Sequence, residues 1–282
     1  MGRWCVPVAA AGLLAWTGLA GHNKALFISV NALAASLPDA GWSCLTVLGD
    51  TLVALVLLLP LLWYRPVWVI AALFAAVPAG VITHYLKHWA HAPRPALVLG
   101  DAVHVIGPAL HRGSFPSGHT TTAFVLAAVV MSGLRFSAPS LLVAAVALLV
   151  GLSRVCVGAH WPIDVAAGMA IGWMSGLAGM RLTQWRRFAM RPWPMAAVHA
   201  LLLGCAAWLL FGHDSRYPLA RVFEQTLALG ALALYLRPAW QYRVTVAGVA
   251  ATIRAALGPR PSALGARAVR VPAAAVPPCS ER

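Results

Sequence analysis

The sequence predicts an all-α, polytopic transmembrane helical bundle, and three observations predict it. Of 282 residues, 61% are hydrophobic and only 10% are charged, where a soluble domain of this size carries roughly 25% charged residues. The apolar residues fall in long runs near the ~20 residues that a bilayer requires. Those runs show no strand-like alternation, and a lipid-embedded segment that is not part of a closed barrel must satisfy its backbone as a helix.

Eight apolar runs qualify, at 4–20, 44–63, 67–85, 119–134, 139–157, 163–181, 194–211 and 218–236. The first has a signal-peptide look, with Arg3, an apolar stretch and Gly18-Leu19-Ala20, but reads as a retained first span. Residues 1–43 then comprise this span and an outer connection whose stretch Lys24–Leu37 is amphipathic and suits the membrane interface. Residues 44–181 form the compact core. Residues 182–237 hold a basic loop and two extra spans, and 238–282 form a basic Ala-, Pro- and Arg-rich tail expected to be disordered against anionic headgroups.

Lys and Arg set the orientation. With the N-terminus inside, the inner segments hold Arg3, Arg65, Arg135, Arg181, Arg186, Arg187, Arg191 and every Arg from Arg237 onward. The outer segments hold Lys24, Lys87, Arg94, Arg112, Arg154, Arg216 and Arg221, so the inner side is the more positive. The net charge of +14 therefore reflects topology rather than nucleic-acid binding, since no basic soluble domain carries it. Trp residues near span ends, among them Trp42, Trp63, Trp89, Trp161, Trp185, Trp193 and Trp240, suit interfacial anchoring. Gly168, Gly172 and Gly176 recur every fourth residue and predict close helix packing within the bundle. The five scattered Cys form no CxxC and imply neither a disulfide framework nor a zinc site. No internal repeat supports a transporter with inverted halves.

Against this apolar background three polar blocks stand out, all assigned to the outer face. Polar residues at membrane depth are costly and mark function. Lys87 and Arg94 lie seven residues apart, about two helical turns, and Pro93 and Pro95 interrupt the helix so that a loop folds back to deliver Arg94. A guanidinium holds two phosphate oxygens at once. Pro116-Ser117-Gly118-His119 precedes an apolar run, which makes Ser117 an N-cap, lets Gly118 bring backbone close to a ligand, and turns the helix's free N–H groups toward an anion. His119 then stands at the mouth of the fourth span. In the third block Arg154 precedes His160 by six residues and Asp164 follows by four. A helix starting near Pro162 puts Asp164 beneath His160, where a carboxylate on one ring nitrogen makes the other a better nucleophile. His160 is thus the expected nucleophile and His119 the acid/base. Lys87, Arg94 and Arg154 hold the charge that develops on phosphorus.

These blocks resemble the signature of the type 2 phosphatidic acid phosphatase superfamily, KxxxxxxRP, PSGH and SRxxxxxHxxxD. All eleven fixed positions match, from Lys87 to Asp164. The resemblance implies a six-helix membrane core and a phosphohistidine on His160, with Asp164 orienting it and His119 as acid/base. It also implies that Lys87, Arg94, Ser117, Gly118 and Arg154 bind phosphate and that no metal or other cofactor is needed. The last two spans and the tail exceed that core and leave substrate and oligomeric state open. The expected activity is hydrolysis of a lipid phosphate or pyrophosphate at the periplasmic face of a bacterial inner membrane, with the tail cytoplasmic. The substrates in view are undecaprenyl pyrophosphate, which is favoured, phosphatidylglycerol phosphate, phosphatidic acid and the lipid A phosphates. Two rivals are phosphate transfer from undecaprenyl pyrophosphate to lipid A, and a lipid-phosphate binding or flipping protein. Binding alone does not require an oriented His pair.

Other polar residues have simpler expectations. Asp50 caps a helix or tethers a loop. His84, His88 and His91 have helical spacing for a metal face but lack an evident carboxylate or fourth ligand. His104, His111, Asp101 and Arg112 are loop residues near a headgroup, and Arg221 pairs with Glu224.

Overall fold

A computed structural model of the chain describes residues 5–18, 21–135, 137–185 and 191–241. The expectations for the tail beyond Gln241, for Arg186 and Arg187 of the basic loop, and for the side chains of Trp185 and Trp240 lie outside the described residues.

Every described regular element is helical. In chain order they are α1 (Cys5–Gly18), α2 (Asn23–Ala34), α3 (Asp39–Val47), α4 (Thr51–Leu58), α5 (Leu61–Tyr64), α6 (Pro66–Ala90), α7 (Pro95–Leu99), α8 (Gly118–Leu134), α9 (Ala138–Cys156), α10 (Pro162–Trp185), α11 (Pro192–Phe211) and α12 (Arg221–Gln241). Prolines open α6, α10 and α11, where the missing N–H has no partner to lose. Among the described residues five helices are long and apolar enough to span a membrane, a bent pair makes six if it crosses as one span, and two further apolar helices are shorter. All eight apolar runs of the sequence are accounted for in this way.

The second span departs from the expected continuous helix over 44–63. It is broken into α3, α4 and α5, with a 63° bend between α3 and α4. The cause is Asp50, whose carboxylate accepts hydrogen bonds from Leu52 N at 2.8 Å and Val53 N at 3.3 Å. That is an N-cap, so a new helix starts at Thr51. Gly49 lets the bent segment pack close against α8, because a Cβ there would lie 2.8 Å from the Cβ of His119. Pro60, with no N–H to give, separates α4 from α5.

Helix α10 is the central element and packs against α8, α6, α1 and α9. Its glycines make this possible. A Cβ at Gly168 would meet Ser117 O at 2.6 Å, one at Gly172 would meet Thr121 O at 2.3 Å, and one at Gly176 would meet Ala128 Cβ at 2.6 Å. The stripe therefore serves contact with α8 inside the bundle. Phe124, Ala127, Val150 and Trp173 fill the core around this contact. A second core joins α4 and α6 to the hairpin α11–α12 through Val53, Val56, Leu59, Leu202, Leu209 and Tyr235.

The outer connection is more embedded than an interfacial helix. Helix α2 buries Phe27, Asn31 and Ala34. The Asn31 amide nitrogen donates to the carbonyls of His104, Val155 and Cys156, and its oxygen accepts from His104 N. One side chain thus ties the long outer loop to the end of α9. Trp161 also departs from expectation. Trp63, Trp89 and Trp193 are exposed as anchors would be, but Trp161 is buried against Phe27 and donates its indole N–H to Pro93 O at 2.8 Å. A buried indole needs such a partner, and here the bond fixes the Pro93–Arg94 turn.

Gly172→Leu should disrupt the α8–α10 contact, because overpacking at such a site costs about 1–3 kcal/mol or more. A lowered unfolding midpoint in detergent is the expected result. An unchanged midpoint would show that the two helices do not depend on this approach.

Candidate active site

The three polar blocks converge at one end of the bundle. Lys87 lies in the last turn of α6, which ends where His91 adopts a left-handed φ of 44°. The chain then folds back, and Arg94 N donates to His111 O at 2.8 Å while Ser114 N donates to Ala92 O at 3.0 Å. Arg94 is buried in this return. Its Nε donates to Arg112 O at 3.0 Å, Nη2 to Gly113 O at 3.2 Å and Nη1 to Ala159 O at 3.0 Å. Lys87 Nζ donates to the same Gly113 carbonyl at 2.7 Å. Gly113 has a left-handed φ of 66°, a conformation that glycine adopts without strain, and its oxygen serves both cations.

Arg154 lies in the last turn of α9, and its carbonyl accepts from both Ala159 N and His160 N at 3.1 Å. This tight return needs Gly158 at φ 73°, where a Cβ would lie 2.7 Å from His104 O. His160 follows directly and is 2% exposed. Its Nδ1 faces Asp164 Oδ2 at 3.4 Å and its Nε2 faces Arg94 Nη1 at 3.4 Å. No hydrogen bond joins Nδ1 to the carboxylate among the described residues, but the nearby negative charge favours a ring proton on Nδ1, which leaves the Nε2 lone pair toward the cations. Burial first, then the charges of Arg94, Arg154 and Lys87, hold the His160 imidazole well below the usual 6.5.

Asp164 is itself anchored. Its Oδ2 accepts from Ser114 Oγ at 2.5 Å and from Trp161 N at 2.9 Å. Ser114 is fully buried and was not among the residues singled out in the sequence. It lies just outside Pro116-Ser117-Gly118-His119, and its only signal was a serine next to the block. Ser117 caps α8 as expected, its Oγ accepting from Thr120 N at 3.4 Å and from Thr120 Oγ1 at 2.9 Å. Ser117 N donates to Asp164 O at 3.0 Å, which locks the start of α8 to the start of α10. Gly118 and His119 form the first turn of α8, and His119 lies close enough to His160 for its charge to bear on that ring.

His119 and Gly118 also stand at the head of a groove of about 240 Å³ between α4, α6 and α8. Its wall is mainly apolar and includes Ala54, Leu58, Ala76, Val125 and Leu126, with Asp50 and Thr122 at the polar end.

The remaining polar residues lie elsewhere. His84 and His88 contact each other at 3.1 Å, and among the described residues no group of three metal-capable side chains is present. His104 pairs with Asp39 at 2.9 Å. Arg221 lies 4.0 Å from Glu224, but its hydrogen bonds go to the carbonyls of Leu209, Leu210 and His213, closing the end of α11.

Comparison with known proteins places the chain in a family. The PAP2 superfamily model matches residues 50–188, and the chain belongs to that superfamily. It is 34% identical over 137 residues to a lipid A 1-phosphatase of Rhizobium etli, covering 46% of this chain and 58% of that protein. It is 31% identical over 107 residues to the undecaprenyl-diphosphatase BcrC of Bacillus subtilis, covering 37% of this chain and 53% of that protein. The chain thus spans little more than half the length of these relatives. The crystal structure of Aquifex aeolicus LpxE superposes with a TM-score of 0.53 and 32% identity, covering 56% of this chain and 94% of that one.

Three cations around one neutral imidazole should bind an anion. Orthovanadate or inorganic phosphate should raise the unfolding midpoint of the detergent-purified protein. Arg94→Ala should weaken that binding about tenfold or more, as expected for loss of a charge-assisted hydrogen bond. Equal affinity in the variant would remove Arg94 from the anion site.

Proposed function

We propose that this protein is an integral membrane phosphatase that hydrolyses a lipid phosphate or pyrophosphate through a phosphohistidine on His160. The observation that carries the reading is the placement of His160, with a carboxylate at one ring nitrogen and an arginine facing the other, in a site whose second histidine, His119, lines an apolar groove. A soluble phosphate ester needs no such groove. A lipid substrate has a chain for it and a headgroup for the cations.

In the proposed reaction Lys87, Arg94 and Arg154 hold the non-bridging phosphate oxygens, with the Ser117 hydroxyl and the Gly118 backbone as further donors. His160 Nε2 attacks phosphorus in line, and the bond to the leaving oxygen breaks. Protonated His119 gives its proton to that oxygen, which departs as a lipid alcohol or, from a pyrophosphate, as a lipid monophosphate. Neutral His119 then takes a proton from water, the water oxygen attacks phosphorus, and the P–N bond breaks to release inorganic phosphate. Asp164, held by Ser114 and Trp161 N, keeps His160 in the useful tautomer and stabilises the charge that the ring acquires. Side-chain cations supply the neutralisation, so we propose that no metal is required.

Both named relatives act on phosphate groups carried by lipids, which supports the class. Within that class we favour undecaprenyl pyrophosphate and the lipid A phosphates over glycerolipid phosphates. The positive-inside pattern supports an outward-facing site and an inward-facing tail, and the Ala- and Arg-rich composition supports a bacterial inner membrane, where these sides are periplasmic and cytoplasmic.

A panel of undecaprenyl pyrophosphate, lipid A, phosphatidylglycerol phosphate and phosphatidic acid, assayed for phosphate release in detergent, tests the reading. Release should persist in chelator and fall at least a thousandfold in His160→Ala, the scale of losing a covalent nucleophile. Because the His160 pKa is lowered, protonation silences the nucleophile only in acid, and the acid limb of kcat/KM should lie below 6.5. Near-normal turnover in His160→Ala, or label moving only into lipid A and never into free phosphate, would overturn hydrolysis by this route.

A further inference from the structure

The family match covers residues 50–188, yet Arg154 is held from outside both limits. Arg154 Nη1 donates to Tyr217 Oη at 2.9 Å and also to Thr46 Oγ1. Thr46 belongs to α3, before the match, and Tyr217 to the connection between α11 and α12, after it. Arg154 is 3% exposed and Tyr217 5%, so neither bond competes with bulk water.

The Tyr217 ring is wedged rather than merely nearby. It packs among Val47, Ile106, Val157 and Ala220, and the Arg154 guanidinium carbon lies 5.9 Å from its centroid. Gly107, at φ 84°, leaves room for it: a Cβ there would lie 2.6 Å from Tyr217 Cε1. The backbone turns sharply to present the ring, with Arg216 at φ 62° and Arg216 N donating to Asp214 Oδ1 at 2.8 Å. At the other end of the guanidinium, Arg154 Nε is buried and has no hydrogen-bond partner among the described residues.

A guanidinium is planar and offers its donors in a rigid fork. The two hydrogens of Nη1 match the two hydroxyl oxygens, and pinning Nη1 fixes the plane. The Nε edge is then left for a ligand, and a buried N–H with no partner is costly until one arrives. We infer that Tyr217 is a positioning residue for Arg154, with Thr46 as its counterpart, so that the α11–α12 hairpin is part of the phosphate-gripping unit. This inference rests on the reading of Arg154 as a phosphate ligand. It gives the two spans beyond the family core a task at the site.

The test is a coupling experiment on the full-length protein, reading kcat and KM for phosphate release together with the inhibition constant of orthovanadate. Tyr217→Phe keeps the ring and removes only the hydroxyl. It should retain the wild-type unfolding midpoint, lower kcat/KM about tenfold and weaken vanadate binding by a similar factor, the scale of one hydrogen bond to a charged group. In an Arg154→Ala background the same change should weaken vanadate binding no further, because the group it positions is gone. Thr46→Val, which keeps side-chain shape, should show the same coupling and serves if Tyr217→Phe does not fold. Wild-type kinetics and vanadate affinity in Tyr217→Phe, or a vanadate loss that persists undiminished without Arg154, would overturn the inference. A wild-type protein that releases phosphate from no lipid would overturn the reading of the site instead.

Discussion

Lys87, Arg94 and Arg154 gather around one histidine from two separate parts of the chain, and their mutual repulsion constrains everything around them. Two unit charges 4 Å apart repel by about 4 kcal/mol at an effective dielectric near 20. One buried carboxylate, Asp164, stands among them, and it faces His160 rather than a cation. The protein holds the cluster with dipoles. The carbonyls of Gly113, Arg112 and Ala159 accept from Arg94 and Lys87, and two hydroxyl groups accept from Arg154. Carbonyl and hydroxyl oxygens stabilise a cation without neutralising it, so the net positive charge remains available to a phosphate.

Those dipoles must be aimed, and the loops exist to aim them. Gly113 and Gly158 take left-handed conformations where the chain reverses beside Arg94 and Arg154. Asn31 and Trp161 then fasten these reversals to the helices, Asn31 through three carbonyls and Trp161 through Pro93. Beneath the site the glycine stripe of α10 brings the start of α8 within reach of Asp164, where Ser117 N bonds Asp164 O. Close backbone approach in the bundle and the geometry of the histidines are therefore one problem. The rigid helices fix where the blocks can meet, and the loops fix how each side chain faces.

Much of this was legible in the sequence because its signals are local. The apolar runs mark helices by length, and Pro162 with Asp164 four residues after His160 places the carboxylate under the ring before any coordinates are known. The Pro93–Pro95 interruption likewise announces the fold-back that delivers Arg94. What escaped was set by contacts distant in sequence. Ser114, Thr46 and Tyr217 are single polar residues in unremarkable surroundings, and nothing near them says that Asp164 or Arg154 lies opposite. Trp161 sits at a span end like the anchoring tryptophans, and only the position of Phe27 and Pro93 shows that it faces inward. The break in the second span shows how a local signal is outweighed. Its apolar run is long enough for one helix, but a single carboxylate at Asp50 satisfies two backbone N–H groups better by starting a new one.

Covalent capture of phosphorus by His160 is the step on which the proposed reaction turns. The direct measurement is rapid quenching of the purified protein with a lipid phosphate radiolabelled in its reacting group, under alkaline denaturing conditions that preserve phosphoramidate bonds. Label that survives alkali, is lost in acid and maps to the peptide carrying His160 is the predicted result. Steady turnover with no protein-bound label at any quench time, or label fixed to a different residue, would contradict it.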